Sequence, residues 1–275
     1  MIRMICLDYD NTIYDHKQGK IPDSARAAIE AIRGKCRIVL ASGRFFKDVW
    51  NAPMLEEIRP DGVIHANGAL IEADGEELEE TWIDPDVQRQ VIEFAYENDL
   101  CLGGLYQGRW YTTNKVKQTE RWGGNEALHA RGLEDARELI GVPMHGLFLD
   151  DSVEAAKLIA ARFPQLRTPI MSEERGGADV LPVFLSKAYG LQKLAEHWGI
   201  SLEETAAVGD SMNDYEMVRE AGVGIAMGNA VSKLKEAADY VTADIGEDGL
   251  KKACAYLGLL SGGSGKRTDE ADGGG

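Results

Sequence analysis

The sequence predicts a doubly wound parallel-sheet α/β core with a smaller α+β module inserted into it, and three observations carry that prediction. Short apolar runs recur without polar alternation, as strands buried on both faces do. Segments of helical period separate them. The middle of the chain breaks this rhythm with hairpin signals and scattered helices. The apolar runs are Ile2 to Leu7, Arg37 to Leu40, Gly62 to Ile64, Thr205 to Val208, Val223 to Ala226 and Tyr240 to Val241.

Among the helices, Ala25, Ala28, Ile29 and Ile32 fall on one face, with Asp23 or Ser24 as N-cap and Gly34 just past the end. Ala188, Leu191, Leu194, Ala195 and Trp198 share another face, opened by Ser186 and closed by Gly199, and Ser201 with Glu204 has capping-box spacing. In the middle, Asp84 and Pro85 open a helix carrying Val87, Val91, Phe94 and Ala95. A hairpin follows, Leu100 to Tyr106 and Arg109 to Asn114, turning at Gln107 and Gly108. Next come a short helix near Glu134 to Ile140, a strand Met144 to Leu149, a helix Ser152 to Phe163 and two extended segments ending near Leu185. The expected division is a core of 1–83 and 185–260, an inserted module of 84–184, and a disordered tail of 261–275.

The 275 residues carry 46 acidic against 30 basic side chains, a formal charge of −16, and 44% are hydrophobic. That composition excludes disorder as the default state. It also argues against coating nucleic acid or an anionic membrane surface. The same charge should repel a small phosphate ester. The tail removes only one unit of charge, since Lys266 and Arg267 oppose Asp269, Glu270 and Asp272. Cys6, Cys36, Cys101 and Cys254 form no CxxC pair and read as free thiols of a reducing compartment. The N-terminal apolar stretch is too short for a signal peptide or a membrane span, so a cytoplasmic location is expected.

Ligands of such sheets bind beyond the carboxyl ends of the strands. The first run leads into Asp8-Tyr9-Asp10-Asn11-Thr12, the second into Ser42-Gly43-Arg44 opening a helix, and the Thr205 run into Gly209-Asp210-Ser211-Met212-Asn213-Asp214. Clustered carboxylates raise one another's pKa unless a cation compensates. Oxygen ligands without nearby His or Cys suit Mg²⁺. A carboxylate beside such an ion can attack phosphorus and form an aspartyl-phosphate, while its neighbour exchanges protons with the leaving alcohol and water. Ser42 offers a donor at a helix N-terminus, and Lys187, where the chain re-enters the core, is the best available cation.

DYDNT, ASGR, a lysine after the insertion and GDSMND, in that order, resemble the four motifs of the haloacid dehalogenase (HAD) superfamily. The insertion, His65-Ala66-Asn67-Gly68-Ala69, and the stretch from Gly209 through Gly228-Asn229-Ala230 resemble Cof-type sugar-phosphate phosphatases with a C2 cap (type IIB). The resemblance covers residues 1 to 258 and is strongest in the core. It implies Asp8 as nucleophile and Asp10 as general acid/base. It implies Mg²⁺ held by Asp8, Asp210, the Asp10 carbonyl and Asp214 in or just behind the ligand set. Ser42, Gly43 and Lys187 would hold the phosphoryl group, and Asn213 would touch phosphate or substrate. Where the family usually has Gly, this chain has Asn11, a residue that tolerates left-handed angles.

Each piece has a plainer reading. DxDxT alone fits a solvated loop, Ser42 a helix cap, and Lys187 a surface lysine; their joint order at strand ends favours chemistry. The five histidines share no metal spacing, and only His65 lies where a substrate could pass. Asn67 reads as a turn residue and Arg44 as loop support. Arg109, Lys115, Lys117 and Arg121, interleaved with Tyr106, Trp110, Tyr111 and Trp122, read as aromatic packing with solvated cations rather than an anion-binding cap surface. The expected function is a Mg²⁺-dependent phosphatase acting on a small phosphorylated metabolite. The alternatives are a phosphomutase, which needs a second phosphate site in the cap, and a non-catalytic phosphometabolite sensor.

Overall fold

The computed structural model describes residues 1–172 and 174–260; the tail expected at 261–275 lies outside the described residues. From the N-terminus the chain forms β1 (Met4–Asp8), α1 (Asp23–Ile32), β2 (Arg37–Ala41), α2 (Ala52–Ile58), β3 (Gly62–His65), β4 (Leu70–Ala73) and β5 (Glu76–Glu80). Every residue of β1 is buried, as its unbroken apolar run requires. The buried face of α1 is the expected Ala25, Ala28, Ile29 and Ile32. Its cap differs: Pro22, extended at φ −58 and ψ 142, precedes the first turn, and Asp23 falls inside that turn. The Pro22 carbonyl accepts from Ala25 and Arg26 N–H at 3.0 and 3.1 Å, so a side-chain cap is not needed.

The inserted stretch gives α3 (Pro85–Glu97), β6 (Leu102–Tyr106), β7 (Arg109–Thr112), α4 (Lys115–Trp122), α5 (Glu126–His129), β8 (Leu133–Asp135), β9 (Leu147–Leu149), α6 (Val153–Arg162), β10 (Leu166–Arg167), β11 (Ile170–Ser172) and β12 (Gly176–Pro182). Asp84 caps α3 by accepting from Asp86 and Val87 N–H. The hairpin turns where expected, with Gln107 at φ 48 and Gly108 at φ 77, both left-handed as a two-residue turn of type I′ demands. One local expectation fails, and one helix is unanticipated. Glu134 to Ile140 is not an α-helix: β8 pairs with β7, and a 3-10 turn covers Ala136–Leu139. Lys115–Trp122 is helical, with the Asn114 side chain capping it by accepting from Lys117 N–H.

The chain then completes the first sheet with α7 (Lys187–Trp198), β13 (Thr205–Gly209), α8 (Tyr215–Glu220), β14 (Val223–Ala226), α9 (Ser232–Ala237), β15 (Tyr240–Val241) and α10 (Gly249–Tyr256). Ser186 caps α7 and Gly199 closes it in the left-handed conformation. The capping-box contact of Glu204 is made to Ser201 N–H at 3.3 Å.

Among the described residues, one sheet has the order β15-β14-β13-β1-β2-β3-β4-β5 and the other β10-β12-β9-β6-β7-β8, with β11 against β12. The first sheet is parallel from β15 to β3. The two edge strands beyond β3 run antiparallel. Each sheet has its own apolar cluster, one around Ile5, Leu40 and Val208, the other around Val91, Leu149 and Val180. No helix among the described residues is long and apolar enough to cross a membrane.

Gly190 of α7 faces β3 so closely that a Cβ would sit 2.6 Å from Ile64 Cγ2. Replacing a helical glycine by alanine gains about 1 kcal/mol of propensity, while overpacking costs about 1–3 kcal/mol. Gly190→Ala is therefore expected to lower the urea midpoint despite its better helix propensity; a raised midpoint would show that Ile64 gives way.

Candidate active site

Three neighbouring strand ends supply the site motifs, two of them acidic. In register, Leu7 of β1 stands beside Val208 of β13, and Asp8 beside Ala41 of β2. Asp8, Ser42 and Asp210 therefore emerge on one rim. Lys187, the first residue of α7, joins them from the other side of the insertion. Its side chain is fully buried, and its Nζ donates to Asp8 Oδ1 at 2.5 Å and Asp214 Oδ1 at 2.6 Å. A cation at a helix N-terminus opposes the helix dipole, so these two carboxylates hold it there. Burial works against the ammonium, but Asp214 and Asp8 outweigh it and raise its pKa.

Asp214 is saturated: its Oδ2 accepts from Asp210 and Ser211 N–H at 3.0 and 3.1 Å. This fold-back requires glycine at the strand end, because a Cβ on Gly209 would lie 2.4 Å from Asp214 Cγ. Asp8 differs, since its Oδ2 is buried without a hydrogen-bond partner. Burial and then the Asp214 charge push the Asp8 carboxyl well above its ordinary range, with Lys187 opposing. Asp210 is pushed up to about 7 by burial and Asp214, again against Lys187. Ligand oxygens of Asp8, Asp210 and Asp214 all lie within 4.8 Å of one another. An orphaned carboxylate oxygen in an all-oxygen donor set, with two of its acids held above their usual pKa, fits a hard divalent cation such as Mg²⁺.

Asp10 turns aside. Arg44 grips it through Nε to Oδ2 at 2.8 Å and Nη2 to Oδ1 at 2.7 Å, and His16 Nε2 lies 2.6 Å from Oδ1. Burial is outweighed by these hydrogen bonds, which hold the carboxyl well below the usual carboxylate range. Arg44 thus does more than support its loop. The intervening turn places Asn11 at φ 57, the left-handed geometry expected of it.

Ser42 is buried, and its Oγ accepts from Arg44 N–H at 3.1 Å. It does not open a helix: turns continue to α2 at Ala52. Side chains take the N–H groups that a helix would have used. Asp48 accepts from Trp50 and Asn51, and His65 Nδ1 accepts from Phe46 at 3.1 Å. His65 is accordingly a buried strut rather than a crevice residue. Its Nε2–H donates to Glu72 at 2.7 Å, and burial pushes its pKa down to about 4.

Gly43 faces a junction absent from the sequence reading. A Cβ there would lie 3.3 Å from both Asn67 Nδ2 and Asp179 Oδ2. Asn67, left-handed at φ 54, donates to Asp179 Oδ2 at 2.7 Å and accepts from Asn213 Nδ2 at 3.1 Å. Asn67 therefore ties the loop after β13 to β12 of the second sheet. Burial raises the Asp179 carboxyl to about 6, partly offset by Asn67, Lys187 and Arg167. Its one sequence signal was a lone acid within the apolar stretch Gly176–Pro182.

The basic and aromatic stretch is largely neutralised. Arg109 pairs with Glu134, Lys117 with Asp99 at 3.2 Å, and Arg121 with Asp150. Trp110 Nε1 donates to Gln118, and its ring packs on Trp122 and Phe148.

Residues 5–253 match the haloacid dehalogenase-like hydrolases, and the chain belongs to that family. YkrA of Bacillus subtilis is 32% identical over 94% of this chain and 98% of its own length. Phosphoglycolate phosphatase of Archaeoglobus fulgidus is 31% identical over the same shares. Among solved structures, the HAD phosphatase BT1666 from Bacteroides thetaiotaomicron superposes with a TM-score of 0.86 at 27% identity, covering 94% of this chain and 96% of that one. The subclass IIB sugar phosphatase BT4131 gives 0.83 at 27% identity, with 94% and 100% covered. Within its family this chain is a HAD-type phosphatase of the Cof, or IIB, group.

Because the folded protein holds the Asp179 carboxyl above its unfolded value, ionising it penalises folding. The penalty is absent below about pH 4, grows as pH rises through about 6, and is complete above that. Asp179→Asn should therefore melt a few degrees above the unaltered protein at pH 8 and level with it at pH 4, as followed by circular dichroism.

Proposed function

We propose that the protein hydrolyses a small phosphomonoester, a phosphosugar or related metabolite, with Mg²⁺ and through an Asp8 phosphoenzyme. The observation that carries this reading is the Asp8 carboxylate itself, with one oxygen held by Lys187 and the other buried and unpartnered among Asp210 and Asp214. The carboxylates of Asp8 and Asp210 and the Asp10 carbonyl, with Asp214 in or just behind the ligand set, would hold Mg²⁺, which supplies positive charge against the phosphoryl oxygens.

The Asp8 carboxylate attacks phosphorus, and the ester P–O bond breaks as the leaving oxygen takes a proton from Asp10. Asp10 then removes a proton from water, which attacks the phosphorus of phospho-Asp8 and frees the carboxylate and inorganic phosphate. With Arg44 and His16 on it, Asp10 is in its base form; its acid form requires that they disengage. Lys187, the Ser42 hydroxyl and the Gly43 N–H hold the phosphoryl oxygens as charge builds on them. Asn213, held by Asn67 and Ser211, contacts phosphate or substrate.

Residues 1–83 and 185–260 serve in this reading as the catalytic core, and 84–184 as a cap over the strand ends that excludes water and selects the leaving group. A cytoplasmic setting with a metabolite partner, and neither nucleic acid nor a membrane surface, accords with the acidic composition. The phosphomutase alternative loses most of its support, since Arg109, Lys117 and Arg121 are each paired with an acid.

A panel of phosphate monoesters with Mg²⁺ is expected to give steady release of inorganic phosphate from at least one member without a bisphosphate activator. Asp8→Asn should cut that rate by about a thousandfold or more; retained turnover would remove Asp8 as nucleophile. Separately, Mg²⁺ at about 100 times its Kd should stabilise the fold by about 2.7 kcal/mol. The resulting rise in Tm should be largely lost in Asp210→Asn, and an equal rise in both proteins would place the cation elsewhere.

A further inference from the structure

One cation of the second sheet's segment stands apart from the paired basic stretch. Arg131 follows α5 and is half-buried, with its guanidinium carbon 5.7 Å from the centre of the Trp50 ring. Its Nε is buried with no hydrogen-bond partner, and among the described residues it forms no ion pair. Trp50 belongs to the loop that begins at Arg44, and its own Nε1 donates to the Gly108 carbonyl at the hairpin turn, 2.9 Å away. Arg131 therefore lies where the inserted segment meets the loop that carries the Asp10 partner.

The acids nearby are already engaged. Asp48 accepts from Trp50 N–H at 2.7 Å, Asn51 N–H at 3.1 Å and the Asn51 amide. Asp10 is taken by Arg44 and His16. Arg44 spends its remaining contact on Asn51 Oδ1 at 3.0 Å. Burial and the Arg44 charge both disfavour the Arg131 cation, with Asp48 as partial compensation. A guanidinium losing hydration without a counter-charge is costly unless an anion arrives. Its planar fork suits a carboxylate or a phosphate, and the indole beside it restrains the side chain without consuming a donor.

We propose that Arg131 is the receptor for a second anionic group, carboxylate or phosphate, carried by the leaving-group part of the substrate. This rests on the phosphatase reading above and narrows its substrate class to metabolites with an anion besides the phosphoryl group transferred.

The test uses the full-length protein with Mg²⁺ and matched esters: 2-phosphoglycolate against 2-hydroxyethyl phosphate, 6-phosphogluconate against glucitol 6-phosphate, and fructose 1,6-bisphosphate against fructose 6-phosphate. The anionic member of at least one pair should be favoured in kcat/KM by about tenfold or more, the worth of one charge-assisted hydrogen bond, chiefly through KM. The carboxylate and bisphosphate pairs distinguish the two groups. Arg131→Gln should bring that ratio close to one, and Arg131→Lys should restore part of it. The ratio is the readout because a merely structural effect of the variant would slow both members alike. No preference in any pair, or a preference that survives Arg131→Gln, overturns the subsite while leaving the phosphatase intact. Failure of the unaltered protein to hydrolyse any ester overturns the phosphatase reading and the subsite with it.

Discussion

The arrangement of the site depends on one buried ammonium. Lys187 reaches two carboxylates that come from strand ends far apart in sequence, and no other side chain among the described residues hydrogen-bonds to both Asp8 and Asp214. Removing one partner of such a buried set costs about 3–5 kcal/mol, because the remaining charges stay where water cannot reach them. The lysine is still outnumbered. Asp8, Asp210 and Asp214 carry three potential negative charges against its one, so the cluster is complete only with a divalent cation or with protons. Burial first, and then this imbalance, raises the Asp8 and Asp210 carboxyls.

That local arithmetic corrects the inference drawn from net charge. An excess of acids over the whole chain argues for repulsion of any phosphate ester. The field at the rim is set instead by groups within a few ångströms: Lys187, the Arg44 guanidinium balanced on Asp10, and a donor set suited to a cation. Global charge bears on polyanions, whose many phosphates span the surface, and not on a single small ester at the rim.

The parts legible in the sequence are those whose environment is local or continuous. β1, β2, β3, β13 and β14 are buried along nearly their whole length, so nearly every residue is apolar and the runs are visible. Ser186 and Gly199 mark α7 because caps are chosen by backbone chemistry. The site motifs stand directly after those strands. What escaped depends on tertiary contact. β5 reads Glu76–Glu80, almost wholly acidic, and is a strand only because it pairs with β4 at an exposed edge. α4 is polar on most faces, leaving Gln118 and Trp122 as its buried residues, too few for a periodic signal. Ser42 looked like a helix opening because nothing in its neighbourhood shows that Asp48 and His65 take the loop's N–H groups. Asp179 and Arg131 gain their meaning only from Asn67 and Trp50, residues more than 80 positions away.

The strand order also has a consequence for how the chain is made. β1 sits between β2 and β13, so one of its edges is matched early and the other only when residues 205–209 arrive. At a ribosomal rate of about 5–20 residues per second, roughly eight to thirty-three seconds separate these events. During that time the Met-Ile-Cys-Leu segment, destined for the centre of the sheet, presents an apolar backbone edge of the kind that recruits other strands. The nascent chain must hold that edge unpaired while the whole inserted segment is synthesised. A fold that is compact once complete thus has its most vulnerable interval set by the length of the insertion.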